Sequence, residues 1–272
     1  MQVSPANTIT LSDLRSEVVG LDTKIPLLDG TERRYVFLDN AASTPTFRSV
    51  VRCIEEFLPW YSGVHRGMGF KAVVSTSVYV EAHRIAGAFV GAALETNVVL
   101  FSKNTTESIN TLAVRLGLRP DDVVITTMME HHSNDLPWRK HCRVVHTAVE
   151  SDGGIALDAL RKEIVNNRGR LKLVAVSGAS NVTGICNPIH EIAAWAHAAG
   201  AKVFVDAAQL APHRAIDILP DDDPAHIDFI AYSAHKIYAP FGIGVLVGPL
   251  EFFDSGVPDQ VGGGTVSYVG LD

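Results

Sequence analysis

Short runs of apolar and β-branched residues alternate with helix-patterned stretches along almost the whole chain, and this alternation restricts the fold more than any other feature. Strands are predicted at 35–39, 97–101, 123–127, 143–147, 171–177, 202–206, 229–232 and 244–247. Helices are predicted between them, at 47–60, 73–91, 106–116, 156–166 and 188–199. Strands that are apolar throughout, instead of alternating, suit a parallel sheet covered on both faces. The strand–helix–strand order adds right-handed crossovers. The expected architecture is α/β: a three-layer α/β/α arrangement around a mostly parallel sheet. Asn187-Pro188 reads as a cap followed by proline at the first helical position, and Thr105 and Thr106 precede Glu107 as at a helix start. Residues 1–34 read as an arm outside the main sheet, and 219-LPDDDP-224 as a loop.

The chain has 272 residues, enough for one or two domains at roughly 100–200 residues each. It is 47% hydrophobic and 19% charged, which is globular composition. A net charge of −7 without any basic stripe argues against nucleic acid as a partner. No apolar run approaches the ~18–20 residues of a membrane span, and the N-terminal residues lack the basic start and apolar core of a signal peptide. Cys53, Cys142 and Cys186 are odd in number and contain no CxxC pair, so a disulfide framework and a zinc ribbon are disfavoured and a reducing compartment fits. A soluble cytoplasmic protein is expected, with the sequons at Asn104 and Asn181 read as chance. Cys53 and Cys142 lie in or beside apolar patterns and are expected to be buried structural residues.

In an open α/β sheet, ligands bind beyond the carboxyl ends of the strands. Here those ends read Ser-Lys-Asn-Thr-Thr-Glu from Ser102, Met-Met-Glu-His-His-Ser-Asn from Met128, Gly-Ala-Ser-Asn-Val-Thr-Gly from Gly178, Asp-Ala-Ala-Gln from Asp206 and Ser-Ala-His-Lys from Ser233. Five apolar strands thus end in polar, chemically capable residues, which points to one active site.

Each group has a plain reading and a chemical one. Lys236 is either a solvated loop lysine or an amine whose ammonium is disfavoured by small and apolar neighbours. A neutral lysine is a nucleophile toward an aldehyde, which is Schiff-base chemistry. Asp206, at the end of a buried strand, needs a partner. It is a local cap or turn residue, or the partner of a protonated ring nitrogen, with Gln209 in reach of a phenolic oxygen on the same ring. His131 and His132 are one buried and one exposed histidine, or His131 is a flat cover over a flat cofactor that assists proton transfer. A metal is not expected: Glu130, His131 and His132 point in different directions, and no HExxH spacing occurs. Thr105 and Thr106 cap a helix, and that helix N-terminus suits a phosphate. No Walker A sequence and no GxGxxG is present. An aldehyde-reactive amine, a carboxylate for a ring nitrogen, a stacking imidazole and a phosphate site together match the needs of pyridoxal 5'-phosphate.

Seven segments, in order, carry a family resemblance: 37-FLDNAASTP-45, 104-NTTESIN-110, 129-MEHHSN-134, 180-SNVTG-184, 205-VDAAQ-209, 233-SAHKIYAPFGIG-244 and 262-GGG-264. The sequence resembles the class V aminotransferases of pyridoxal-phosphate fold type I, and within them the cysteine desulfurase and selenocysteine lyase group. The resemblance implies that Lys236 holds the cofactor as a Schiff base and that Asp206 pairs with the pyridine nitrogen. It implies that Asn181 and Gln209 lie at the phenolic oxygen and that His131 stacks on the ring. Thr106, Ser233 and His235 would bind the phosphate, helped by the backbone at Thr105. Asn40 and Ala41 would lie near the substrate. Thr265 would reach the phosphate of a partner subunit, because family members are usually homodimers with shared sites.

The implied reaction converts L-cysteine to L-alanine and passes sulfur to an acceptor, with Lys236 and His131 moving protons. Transamination, epimerisation, another β-elimination and a non-catalytic relative stay open as alternatives. The implied organisation is an arm at 1–34, a cofactor-binding domain at 35–260, and a segment at 261–272 leading toward a C-terminal small domain that the sequence does not contain. In the desulfurases that domain carries the arginine that grips the substrate carboxylate and the cysteine that takes the sulfur, so the expected acceptor is a cysteine outside this sequence, with a sulfur-acceptor protein as a further partner.

Overall fold

A computed structural model describes residues 10–65 and 67–256. It divides into two units: Met1–Tyr79 with Ala234–Phe241, here the arm unit, and Val80–Ser233 with Gly242–Asp272, here the sheet unit.

The sheet unit is built on seven strands: β3 (Asn97–Ser102), β4 (Val123–Thr127), β5 (Arg143–Thr147), β6 (Leu171–Ser177), β7 (Lys202–Asp206), β8 (Phe229–Ser233) and β9 (Gly244–Pro249). Their order is β3-β9-β8-β7-β6-β4-β5. Strands β4 to β8 pair in parallel, whereas β9 is antiparallel to both β3 and β8. The mostly parallel α/β sheet expected from the sequence is therefore present, with β9 running back against the rest. Helices α4 (Thr105–Arg115), α5 (Leu136–Arg139), α6 (Leu157–Asn166), α7 (Ile189–Ala198) and α8 (Leu250–Asp254) connect or follow the strands.

Strand alternation explains why both faces of the sheet need cover. Phe204, Leu173, Ala175, Phe229 and Ala231 join Ile109, Leu112 and Trp138 in one buried cluster. The alternate residues Val203, Val205, Val174 and Val176 point to the other face and are equally buried. Each large side chain removed from water in this way contributes about 1.5–3 kcal/mol. At the rim, Gly244 has no room for a side chain: a Cβ there would lie 2.3 Å from the carbonyl carbon of Asn104 and 2.4 Å from Ser102 Oγ. The missing side chain lets the loop before α4 close against β9.

Two predicted caps are corrected. The cap of α4 is Asn104, whose side chain accepts from Glu107 N at 2.9 Å, and Thr105 is already the first helical residue. Asn187 does not cap α7; its amide donates to Ser177 O at 2.7 Å, and Pro188 occupies the cap position. Asparagine offers its carbonyl to a helix end and its amide to a strand end, and the nearer partner decided each case.

The arm unit contains α1 (Leu11–Glu17), a three-residue hairpin of β1 (Lys24–Pro26) and β2 (Glu32–Arg34), α2 (Arg48–Phe57) and the first part of α3 (Phe70–Ala88). The strand predicted at 35–39 is absent: those residues are exposed and irregular. The hairpin ladder ends at its start: Tyr35 N donates to Thr23 O at 2.8 Å, one step beyond the Lys24–Arg34 pair. Residues 234–241 are held to the segment after Ser43. Thr44 N donates to His235 O at 2.9 Å, Tyr238 N donates to Thr44 Oγ1 at 2.8 Å, and Phe47 and Tyr238 stack at 4.3 Å.

Candidate active site

Because six strands of the sheet unit run one way, their carboxyl ends form one edge, and the predicted site residues of this unit lie along it. In register, Ser177 on β6 faces Asp206 on β7, and Asp206 faces Ala231 on β8. Asp206 is buried, with Oδ1 accepting from Ala208 N at 3.0 Å. Gln209, three residues further on, is buried as well. Ser233 ends β8 and meets the first residue of α4: its Oγ accepts from Thr105 N at 2.8 Å and lies 2.6 Å from Thr105 Oγ1. Thr106 is exposed beside it, with Oγ1 2.7 Å from Ser133 Oγ. Ser133 Oγ in turn lies 2.9 Å from His131 Nδ1. The structure therefore brings Thr105 to Ser233 directly and Thr106 to His131 through a serine. Asn181 is exposed at the tip of the turn after β6.

The other predicted residues that the structure describes belong to the arm unit. Asn40 and Ala41 sit in an exposed turn. His235 and Lys236 are half-buried in a short 3₁₀ segment, Ala234–Lys236. Burial and then the neighbouring Lys236 charge push the His235 imidazole below its ordinary range. Thr265 lies outside the described residues.

Glu130 is the functional candidate that sequence reasoning passed over. Its carboxyl accepts from Thr127 Oγ1 at 2.6 Å, Asn134 Nδ2 at 2.7 Å and Ser177 Oγ at 2.7 Å. Burial pushes it up to about 7 despite those three donors. It ties the end of β4 to the end of β6 and so fixes the loop bearing His131. The signal was present, since Glu130 stands inside a polar stretch directly after an apolar strand.

A second ionisable cluster occupies the opposite, amino-terminal ends of β7 and β8. Asp228 accepts from Lys202 Nζ, His197 Nε2 and Val203 N, each at 2.8 Å. His226 Nε2 is 3.7 Å away. Burial alone would raise Asp228, but the His197 and Lys202 contacts outweigh it and hold the carboxyl at about 2. His197 is raised in turn, first by its hydrogen bond to Asp228. His197, His226 and Asp228 have the spacing of a metal site. Yet the two imidazole rings stack at 4.2 Å with planes only 21° apart, so their in-plane lone pairs do not converge on one point. The cluster reads as a charge clasp between α7, β7 and the loop before β8.

All three cysteines are free. Cys53 is exposed, contrary to expectation, because α2 buries none of its residues. Cys142 is half-buried, and burial pushes its thiol up. Among the described residues, no helix is long and apolar enough to cross a membrane.

Residues 36–272 match the family model described as aminotransferase class-V. A cysteine desulfurase of Haloferax volcanii is 36% identical over 243 residues, which is 86% of this chain and 55% of the relative. The apo structure of a cysteine desulfurase from Thermococcus onnurineus NA1 superposes with a TM-score of 0.80 at 33% identity, covering 96% of this chain and 62% of that one. The cysteine desulfurase CsdA of Escherichia coli, solved in an S-sulfonic acid form, gives 0.78 at 30% identity, covering 97% and 64%. The chain thus spans a little over half the length of the curated relative and under two thirds of the solved ones.

Proposed function

Because the chain belongs to the class V aminotransferase family, we propose that it works with pyridoxal 5'-phosphate on an amino acid, as a cysteine desulfurase that turns L-cysteine into L-alanine and hands the sulfur to an acceptor thiol. The observation that carries this reading is the donor set along one sheet edge. A phosphorylated pyridine aldehyde needs oxyanion donors, an acid for its ring nitrogen, a polar partner for its phenolic oxygen and a primary amine. Ser233, Thr105 and Thr106 stand at the N-terminus of an 11-residue helix, where hydroxyls and backbone N–H groups suit a phosphate. Asp206 supplies a buried carboxylate and Gln209 a buried amide on the same turn. His235 and Lys236 follow Ser233 directly in the chain, and Lys236 is the primary amine. The sheet-unit residues suit the phosphate, ring nitrogen and phenolic oxygen of the group, and the chain supplies the amine directly after Ser233.

When bound, the cofactor supplies an electron sink that loosens bonds at the substrate's Cα and Cβ. Asp206 would face the ring nitrogen and keep a proton on it. Lys236 Nζ is the amine that would hold the group, and it would take and return protons at the substrate's Cα. His131 would cover the ring and present Nε2 toward the reacting atoms. Asn181 and Gln209 steady the phenolic oxygen, His235 adds a phosphate contact, and Asn40 and Ala41 border the substrate. Thr265 would complete the phosphate site of a second copy, which makes the working form a homodimer. The free cysteines suit a reducing, cytoplasmic setting. We divide the chain functionally into an arm at 1–34, a cofactor-binding part at 35–260 and a connecting segment at 261–272.

The test is direct. Protein incubated with pyridoxal 5'-phosphate should turn yellow, and Lys236→Ala should stay colourless. With cysteine and excess thiol, which takes the sulfur as a persulfide and releases it as sulfide when a second thiol forms the disulfide, alanine and sulfide should appear in equal amounts. A colourless wild-type protein ends the cofactor reading. Alanine without sulfide or persulfide moves the activity elsewhere within the family.

A further inference from the structure

The hydroxyls of Thr106 and Ser133 and the ring of His131 form a continuous line of hydrogen bonds. A second contact gives that line a direction. The backbone N–H of Ser133 donates to His131 Nδ1 at 3.2 Å. An amide N–H can only donate, so Nδ1 presents a lone pair. With Nδ1 an acceptor, the proton of the neutral ring sits on Nε2. Nδ1 then has nothing to give the serine hydroxyl, so at 2.9 Å Ser133 Oγ–H points at the ring. Ser133 Oγ is left to accept, and Thr106 Oγ1–H fills that position at 2.7 Å. Every proton in the chain has one place: Thr106 to Ser133, Ser133 to His131, and the last one outward on Nε2.

We propose that Ser133 is a positioning residue that holds His131 in its Nε2–H form, so that the outward ring nitrogen presents a hydrogen-bond donor and not a lone pair. What that proton does in catalysis rests on the cofactor reading above; the position of the proton rests on Thr106, Ser133 and His131 alone.

The experiment is ¹⁵N NMR of the full chain carrying imidazole-labelled histidine, at a pH where histidines are neutral, with His131→Gln used to assign the signal. The wild-type protein should show Nε2 protonated and Nδ1 with the shift of a lone-pair nitrogen. Ser133→Ala keeps the backbone donor and loses the hydroxyl. It should change the tautomer ratio by about three- to tenfold toward Nδ1–H, the factor an ordinary hydrogen bond carries. Ser133→Thr should restore the wild-type ratio, which a general packing defect would not do. Thr106→Val, which leaves the ring contacts intact, should shift the Nδ1 signal by less. A wild-type ring protonated on Nδ1, or a Ser133→Ala ratio equal to wild type, overturns the assignment. No cofactor is needed for the measurement, so a protein that shows this tautomer and yet stays colourless with pyridoxal 5'-phosphate would break the functional reading and leave the serine's role standing.

Discussion

Helices α1 and α2 of the arm unit bury none of their residues, whereas α4 of the sheet unit buries five: Thr105, Ser108, Ile109, Leu112 and Ala113. The arm unit instead displays Leu11, Leu28, Val36, Leu38 and Met68, all well exposed. Its order comes from directed polar contacts. Thr10 and Asp13 make a capping box on α1, the Glu17 carboxylate accepts from Ser49 N at 2.8 Å, and Thr44 holds the loop at His235. A sheet gives every helix laid on it a surface to bury against. A set of helices and turns without one depends on individual hydrogen bonds worth about 0.5–1.5 kcal/mol each. The amine-bearing loop belongs to the second kind of structure, and the carboxylate, imidazole and hydroxyls to the first.

This contrast can be broken in several places. The largest effect should come from Phe204→Ala. Phe204 is fully buried at the centre of the sheet cluster, so about 3–5 kcal/mol should be lost in urea unfolding. Leu58→Ala in the arm unit, where the side chain is 60% exposed, should cost under about 0.5 kcal/mol. Equal costs would mean that the arm unit has a core of its own.

Next comes the clasp. Asp228→Asn should lose about 2 kcal/mol, chiefly from the His197 contact, because the half-exposed Lys202 is screened by water. The sign of its pH dependence follows from two opposite shifts. His197 is raised, so its contribution is complete below the unfolded value of about 6.5 and fades as pH rises through the higher folded value. Asp228 is lowered, so its contribution is complete above about 3.9 and fades as pH falls toward about 2. Melting temperature against pH should therefore bend at both ends in the wild type. In Asp228→Asn both bends should flatten.

A smaller effect is expected at Glu130. Its folded value is raised to about 7, so it favours the folded state below about 4.3 and progressively less as pH rises through 7. Glu130→Gln should remove that slope and cost no more than about 1–1.5 kcal/mol, because one amide proton would then face Asn134 Nδ2. An unchanged slope would place the titration on another group. The smallest effect should be that of Thr44→Val, near 1 kcal/mol in global stability, since it deletes one hydroxyl that bonds His235 O and Tyr238 N. Hydrogen exchange at the Tyr238 amide should nevertheless rise sharply, because that N–H loses its acceptor.

Most of the sheet was legible because its signal is local. At 123–127, 143–147, 171–177 and 202–206 an apolar run has the same limits in sequence and in space. The reversed direction of β9 was not legible, since Gly244–Val247 looks the same whichever way it is paired. The residues 35–39 misled for a related reason: an apolar run specifies a strand only where a partner edge exists. At the candidate site, Asp206, Ser233 and Thr105 could be found from their place after a strand. Ser133 and Glu130 stood in the same stretch as His131, but their importance lies in which groups they hydrogen-bond, and those include residues 27 and 47 positions away. Capping was misjudged by one residue at Asn104 because three consecutive polar residues all suit a cap.

The bond between Thr44 Oγ1 and His235 O joins residues 191 positions apart. Closing a free loop of that length costs entropy that grows as the logarithm of its size, far more than one hydroxyl can return. The contact is affordable only after the intervening chain has condensed and drawn its ends together. The lysine-bearing loop should thus be among the last pieces to find its place on refolding, appearing after the bulk of the β signal. During synthesis it must wait until the ribosome has released residues beyond 238.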